Sequence, residues 1–280
     1  METSTKTTNQ TLSSEQVDFF WNHGYLRIEQ VFTPTEMDDL DDEMNRLMNE
    51  WAHNTPGWTG DWRKVYMDEE TEQKSKLIAM HDLWYYSAKW AMAVVKPKFT
   101  NAMSDLLGPA VELHHSTMHV KPPETGHPFP MHQDNAFYAH STEKYVDTLV
   151  HLDDTNHENG EIRFLDGSHK KGPLKHVRTT SSGESCFPHL PTDKWKLEDT
   201  VPVPANRGDV VCFNIYTIHG SYLNQTAEPR RIVRVGYRDP ENTQIAGQSS
   251  ERPCWIVAGQ RHRKADDELY DTQSTPGSDN

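Results

Sequence analysis

The stretch DTLVHLDDTNHENGEIRFLDG, Asp147 to Gly167, carries the fold in miniature. Asp147 to Leu152 and Glu161 to Leu165 are short runs of apolar and β-branched residues closed off by Asp, Asn and Gly, the composition of strands bounded by turns. Asn159-Gly160 between them predicts a hairpin, and Asp166-Gly167 marks a further turn. Moving outward, the pattern recurs at Val111 to Val120, at Asp209 to Ile215 behind an Arg207-Gly208 turn, and at Ile232 to Tyr237. Successive short strands without intervening helices predict an antiparallel sandwich or barrel.

The N-terminal third reads differently. From Ser13 or Ser14, a segment containing Val17, Phe19, Phe20 and Trp21 forms a short helix that stops at Gly24. A strand over Tyr25 to Phe32 follows. Thr33-Pro34-Thr35-Glu36 supplies a capping oxygen, a first-turn Pro and a Glu three residues after the cap, which predicts a helix over Met37 to Met48. A second helical region is expected from about Lys74 to Leu107, ending at Gly108-Pro109. Between the two, residues 51–70 place Trp51, Trp58, Trp62 and Tyr66 among Gly, Pro and polar residues, a long loop that is either a lid or a segment anchored by its aromatics. The fold class is mainly β with flanking helices, in a single domain over residues 11–261 between polar tails at 1–10 and 262–280.

With 280 residues, the chain needs no second domain. Its mean hydropathy of −0.84 is polar, yet eight Trp, nine Phe and ten Tyr can build a core. A formal charge of −14 argues against a phosphate-neutralising surface, so nucleic acid is not an expected partner. No apolar run approaches the roughly 20 residues that span a bilayer, so no membrane association is expected. Cys186, Cys212 and Cys254 form no C-x-x-C pair, and no leader is visible, which points to a reduced, cytoplasmic, soluble protein.

His132 and Asp134 lie two apart, so in an extended segment both side chains point to one face, as two ligands of one metal require. With 16 His and 22 Asp, about one His-x-Asp is expected by chance. The chain has two, and His151-Leu152-Asp153 sits inside a strand pattern that suits a polar strand face. The first pair gains weight from His219, on an independent element after the apolar run Val210 to Ile215. Two His and one carboxylate leave up to three open coordination positions, the facial arrangement of Fe(II) oxygenases rather than a closed zinc site. Arg230, eleven residues after His219, could grip an anionic co-substrate bidentately. Arg231 and Arg234 compete for that role, and alternation puts Arg231 on the opposite face from the other two.

Five ordered motifs resemble the phytanoyl-CoA dioxygenase family over roughly residues 11–240: Leu12-Ser13-Ser14-Glu15-Gln16 to Gly24-Tyr25, Lys121-Pro122-Pro123, His132-Gln133-Asp134, Glu158-Asn159-Gly160 with Gly167-Ser168-His169, and His219-Gly220-Ser221 to Arg230. The resemblance implies a double-stranded β-helix (jelly roll, cupin-like), Fe(II), O2, and 2-oxoglutarate that is decarboxylated to succinate and CO2 while a C–H bond of a small molecule is hydroxylated. It implies that His132, Asp134 and His219 are the metal ligands, that Arg230 and Ser221 hold the distal carboxylate of 2-oxoglutarate, and that Met118 lines the co-substrate pocket. Related halogenating enzymes replace the carboxylate ligand by a small residue, so the presence of Asp134 favours oxidation. Asn135, Phe137, Tyr138 and His140, directly after the metal pair, are expected to face the substrate, with His140 as a polar contact. Where family members carry an aromatic and a small residue before the Asp-Asp pair, this chain has Leu149 and His151, so the pocket shape departs from the family pattern. Two alternatives stand beside this reading: a non-catalytic sensor of metal and a small acid, and a cupin-like metal-dependent isomerase or hydrolase.

Overall fold

The computed structural model describes residues 11–250 and 252–260; both expected tails, 1–10 and 262–280, lie outside the described residues. The first helices form where their caps are written. Ser13 accepts from the Gln16 amide while the Gln16 side chain accepts from the Ser13 amide, opening α1 (Ser14–His23), which closes on Gly24 at φ +87°. The same reciprocal box at Thr33 and Glu36 opens α2 (Pro34–Glu50), which buries Met37, Leu40, Met44 and Leu47 along one stripe. Between them β1 (Tyr25–Ile28) is shorter than expected, because the chain turns at Gln30 with φ +48°.

Residues 51–76 contain β2 (His53–Thr55), α3 (Arg63–Tyr66) and α4 (Glu69–Lys74). The helical region expected from Lys74 to Leu107 is broken. Its start, Leu77–His81, is a strand, β3, and α5 (Ala88–Val94) and α6 (Pro97–Leu107) follow only after a single turn at Leu83–Tyr85. The apolar run there is too short for periodicity to separate strand from helix, and pairing with the next strand, β4 (Val111–Lys121), decides it.

The strands then build two facing sheets. The larger has the order β1, β12 (Val210–Asn214), β7 (Tyr145–His151), β14 (Arg230–Arg238), β4 (Val111–Lys121), β3, β2, with β16 (Trp255–Ala258) pairing the start of β4. Every pair is antiparallel. The smaller has the order β11 (Val201–Val203), β8 (Ile162–Phe164), β13 (His219–Ser221), β5 (Phe129–His132). Two further pairs, β6 (Tyr138–His140) with β15 (Gln244–Gly247) and β9 (Val177–Thr179) with β10 (Ser185–His189), extend the rim.

Alternation sorts the larger sheet into two faces. Met118, Val120, Val146, Val150, Cys212, Val233 and Val235 point outward into one core with Leu40, Met44, Trp90, Phe99 and Met103 of the helices. Tyr25, Leu149, Phe213 and Ile232 point inward against Phe164 and Val203 of the smaller sheet. The result is the double-stranded β-helix expected from the motifs.

Asn159-Gly160 does not close a hairpin. β7 and β8 belong to different sheets, and the turn carries the chain from one to the other. Asn156 accepts from the amides of Glu158 and Asn159. Gly160 adopts φ +78°, where a Cβ would lie 2.4 Å from the Tyr222 carbonyl, so close approach to the neighbouring chain requires glycine.

Candidate active site

His132 ends β5 and His219 begins β13, and the two are direct register partners, which brings their rings to a centroid distance of 4.1 Å. Asp134 opens the short turn Asp134–Ala136 that follows β5. Each imidazole donates its Nδ1–H to a backbone carbonyl two residues back, His132 to Pro130 at 2.7 Å and His219 to Thr217 at 3.0 Å. Those bonds fix the tautomer and leave both Nε2 lone pairs aimed inward. Asp134 Oδ1 lies 3.4 Å from His132 Nε2 and 3.7 Å from His219 Nε2. Two bonds of about 2.1 Å at a right angle place donor atoms about 3 Å apart, so the three atoms fit one facial set. All three residues are buried, and this is the metal-type cluster found among the described residues.

The charges suit a cation. Burial drives the His219 imidazole down to about 3, with His132 adding to the effect, so it stays neutral and able to ligate. Burial alone would raise the Asp134 carboxyl, but Arg234, backed by the two imidazoles, holds it well below the usual carboxylate range. Asp134 Oδ2 accepts from Arg234 Nη1 at 2.9 Å and from the Tyr138 hydroxyl at 2.7 Å. Tyr138 also lies 2.8 Å from Asp147, whose carboxyl burial and the Asp134 charge push well above the usual range.

The three candidate arginines separate cleanly. Arg231 faces outward onto Asp153 and Asp41. Arg234 is committed to Asp134, to His115 at 2.7 Å and to Thr117 at 3.2 Å. Arg230, buried and inward, has no hydrogen-bond partner at Nε and forms no ion pair among the described residues. Burial brings its pKa down to about 10, the mark of a cation lacking its anion. Beside it, Ser221 accepts from Lys121 Nζ at 2.7 Å. With Lys121 as the donor in that bond, the Ser221 proton is left to point elsewhere.

Arg230, Ser221 and the three ligand side chains line one cavity of about 200 Å³. Of the residues expected at its wall, Phe137 is there. Met118 is not. It points into the outer core, and its neighbours Thr117 and His119 face the cavity in its place. His140 also turns away: its Nδ1 donates to Tyr138 O at 2.8 Å and its Nε2 accepts from Arg238 at 3.0 Å. Asn135 caps that strand by accepting from the His140 amide at 3.1 Å and does not line the cavity.

The wall also draws on Trp58 and His151, which the sequence places in a candidate lid and at a departure in pocket shape, and on Phe187. Trp58, from the 51–70 segment, contacts Phe129, His132 and Phe137 and stacks on Phe187 at 5.5 Å. His151 faces the cavity near Arg230, whereas Asp153 pairs with Arg231, so the second His-x-Asp is no metal pair. Burial and the Arg230 charge bring His151 down to about 4. Strand parity with Leu149 was a signal for His151; nothing in the sequence pattern singled out Phe187.

A double-stranded β-helix that sets two imidazoles and one carboxylate in a cavity shared with a buried guanidinium unpaired among the described residues defines the class of non-haem iron oxygenases. The description "Phytanoyl-CoA dioxygenase (PhyH)" matches residues 20–232, and the chain belongs to that family. It is 27% identical over 230 residues to a probable alpha-ketoglutarate-dependent hypophosphite dioxygenase of Stutzerimonas stutzeri, covering 80% of this chain and 78% of that protein. It is 27% identical over 257 residues to an ectoine dioxygenase of Bordetella parapertussis, covering 83% and 77%. Among solved structures, the 2-oxoglutarate-dependent carbocyclase SnoK from nogalamycin biosynthesis superposes with a TM-score of 0.68 at 21% identity, covering 88% of this chain and 91% of that one. EctD from S. alaskensis with 2-oxoglutarate and 5-hydroxyectoine gives 0.66 at 21% identity, covering 94% and 89%. The protein is therefore a 2-oxoglutarate-dependent non-haem iron dioxygenase, and its cofactors are Fe(II) and 2-oxoglutarate. No described helix is long and apolar enough to cross a membrane.

Proposed function

We propose that this enzyme hydroxylates a C–H bond of a small molecule, with His132, Asp134 and His219 holding the iron and Arg230 and Ser221 holding the distal carboxylate of 2-oxoglutarate. The observation that carries the reading is Arg230, a buried, unpaired guanidinium in the same cavity as the metal ligands. A carboxylate there would gain two parallel charge-assisted hydrogen bonds and relieve an uncompensated buried charge. The bound iron, with O2 and 2-oxoglutarate, supplies the oxidising chemistry, with the balance 2-oxoglutarate + O2 + R–H giving succinate + CO2 + R–OH.

The chain's own residues orient and seclude. The Nδ1–H bonds of His132 and His219 keep their rings in place. Trp58, Phe129, Phe137 and Phe187 form an aromatic wall that limits water on the open side. Relatives whose names specify hydroxylation, among them a 1-deoxypentalenic acid 11-beta-hydroxylase of Streptomyces arenae and a methylphosphonate hydroxylase of Gimesia maris, support this reaction over isomerisation. Among the described residues, the cavity lining carries no cluster of free cations that would take the phosphates of a CoA thioester, which favours a compact substrate. With Fe(II) under air, the protein should form succinate from 2-oxoglutarate, and a matching substrate should accelerate it. Absence of 2-oxoglutarate binding to the anaerobic Fe(II) protein would overturn the proposal.

A further inference from the structure

We infer that Arg234 and Tyr138 act as positioning residues that lock Asp134 as a one-oxygen ligand, keeping three metal positions free for 2-oxoglutarate and O2. The inference rests on the function proposed above. A carboxylate next to a dication can bind through one oxygen or both. If Asp134 used both, two positions would remain; a chelating keto acid would fill them and O2 would have no site.

The geometry bars that shift. Oδ1 faces the two imidazole Nε2 atoms, while Oδ2 is turned away and held by two donors, Arg234 Nη1 at 2.9 Å and the Tyr138 hydroxyl at 2.7 Å. Rotating Oδ2 toward the metal breaks a buried, charge-assisted bond and a phenol bond together. The two donors are also tied to each other, since Arg234 Nη1 donates to the Tyr138 oxygen and the guanidinium lies 4.9 Å from the Tyr138 ring centroid. Arg234 cannot readily follow the carboxylate. Its second amino group is fixed by His115 Nε2 at 2.7 Å and by Thr117 Oγ1 at 3.2 Å. His115 is held in turn by His114 Nδ1 at 2.9 Å, and His114 by Gln244 at 2.9 Å. The clamp thus runs from the turn after β5 to β4 and β14 of the opposite sheet, and Tyr138 is fully buried beneath it.

The test uses the full chain, stripped of metal and loaded anaerobically with Co(II) as a spectroscopic probe. Wild type is compared with Arg234→Gln, Arg234→Lys and Tyr138→Phe, each first checked for folding by its metal-free Tm. Loss of outer hydrogen bonds to a ligand lowers metal affinity by roughly 10–100-fold. We expect that loss in Arg234→Gln, a changed Co(II) visible spectrum, and a 2-oxoglutarate affinity weakened in the Co(II) form but not in the metal-free form. Arg234→Lys should recover part of the effect, and Tyr138→Phe should show a milder version. Wild-type Co(II) affinity and spectrum in folded Arg234→Gln and Tyr138→Phe overturn the inference. If Arg234→Gln does not fold, Tyr138→Phe alone decides. Failure of the wild type to bind Co(II) would instead overturn the metal-site assignment on which the inference rests.

Discussion

Lys121 and Arg230 are register partners on adjacent strands, both buried, and neither is paired with a carboxylate among the described residues. Two neighbouring buried cations repel each other, and burial followed by the Arg230 charge lowers the Lys121 ammonium well below its usual value. Under the proposed function, a dicarboxylate arriving between them and the metal would relieve that penalty. Truncating one partner of a buried charge pair costs about 2–5 kcal/mol, so Arg230→Ala should raise the 2-oxoglutarate requirement by at least about 30-fold. Lys121→Met, acting through Ser221, should raise it less. Anaerobic titration of the Fe(II) protein with 2-oxoglutarate measures both, and a larger effect from Lys121→Met than from Arg230→Ala would contradict this ordering.

Asp134→Ala should abolish turnover and metal binding while leaving the fold in place. Breaking a buried ion pair ordinarily costs about 3–5 kcal/mol. Here Asp147 lies 3.5 Å from Arg234 and leaves a second carboxyl beside the guanidinium. The loss of stability should therefore stay below that range. Denaturant titration of the metal-free variant, set beside a metal-binding assay, distinguishes a site defect from a folding defect.

Buried neutral histidines make the fold sensitive to acid. His151 titrates near 4 in the folded chain, because of burial and then Arg230, against about 6.5 when unfolded. Between those values the unfolded state binds the extra proton, so this contribution is complete above pH 6.5 and is lost as pH falls toward 4. For His151 the loss at pH 5 is about 2 kcal/mol. His176, also lowered to about 4 by burial, adds in the same direction. Urea midpoints of the metal-free protein should drop between pH 7 and pH 5, and His151→Gln should show a smaller drop. An identical drop in that variant would rule His151 out as a source.

Trp58 closes the open side of the cavity by packing on His132, Phe137 and Phe187. It is half-buried and sits on a long connection, so Trp58→Ala should cost little stability. Its expected effect is on water exclusion: substrate-free consumption of 2-oxoglutarate should rise by roughly two- to tenfold. Oxygen uptake without substrate reports this directly, and an unchanged rate would return Trp58 to a purely anchoring role.

The parts of the fold that could be read in advance are those fixed by local chemistry. The Gly24 stop and the capping box at Thr33 marked the end of α1 and the start of α2, and the parity of His132 with Asp134 and of Arg230 with Arg234 carried through to shared faces. Partner-dependent features were not legible. Leu77–His81 looked helical until β4 lay beside it, and Asn159-Gly160 looked like a hairpin because its flanking strands pair with others rather than with each other. Met118 and His140 turn away from the cavity for one reason: a strand has two faces, and which of them meets the cavity depends on the register with β14 and on the turn at Asn135.

The ligands of the metal come from the smaller sheet and the turn after β5, whereas Arg230 comes from the larger one. Under the proposed function, 2-oxoglutarate would bridge the two sheets, its keto acid end at the three ligands and its far carboxylate at Arg230. The spacing of the two sheets, set by backbone pairing and core packing, would then fix the length of keto diacid that reaches both ends.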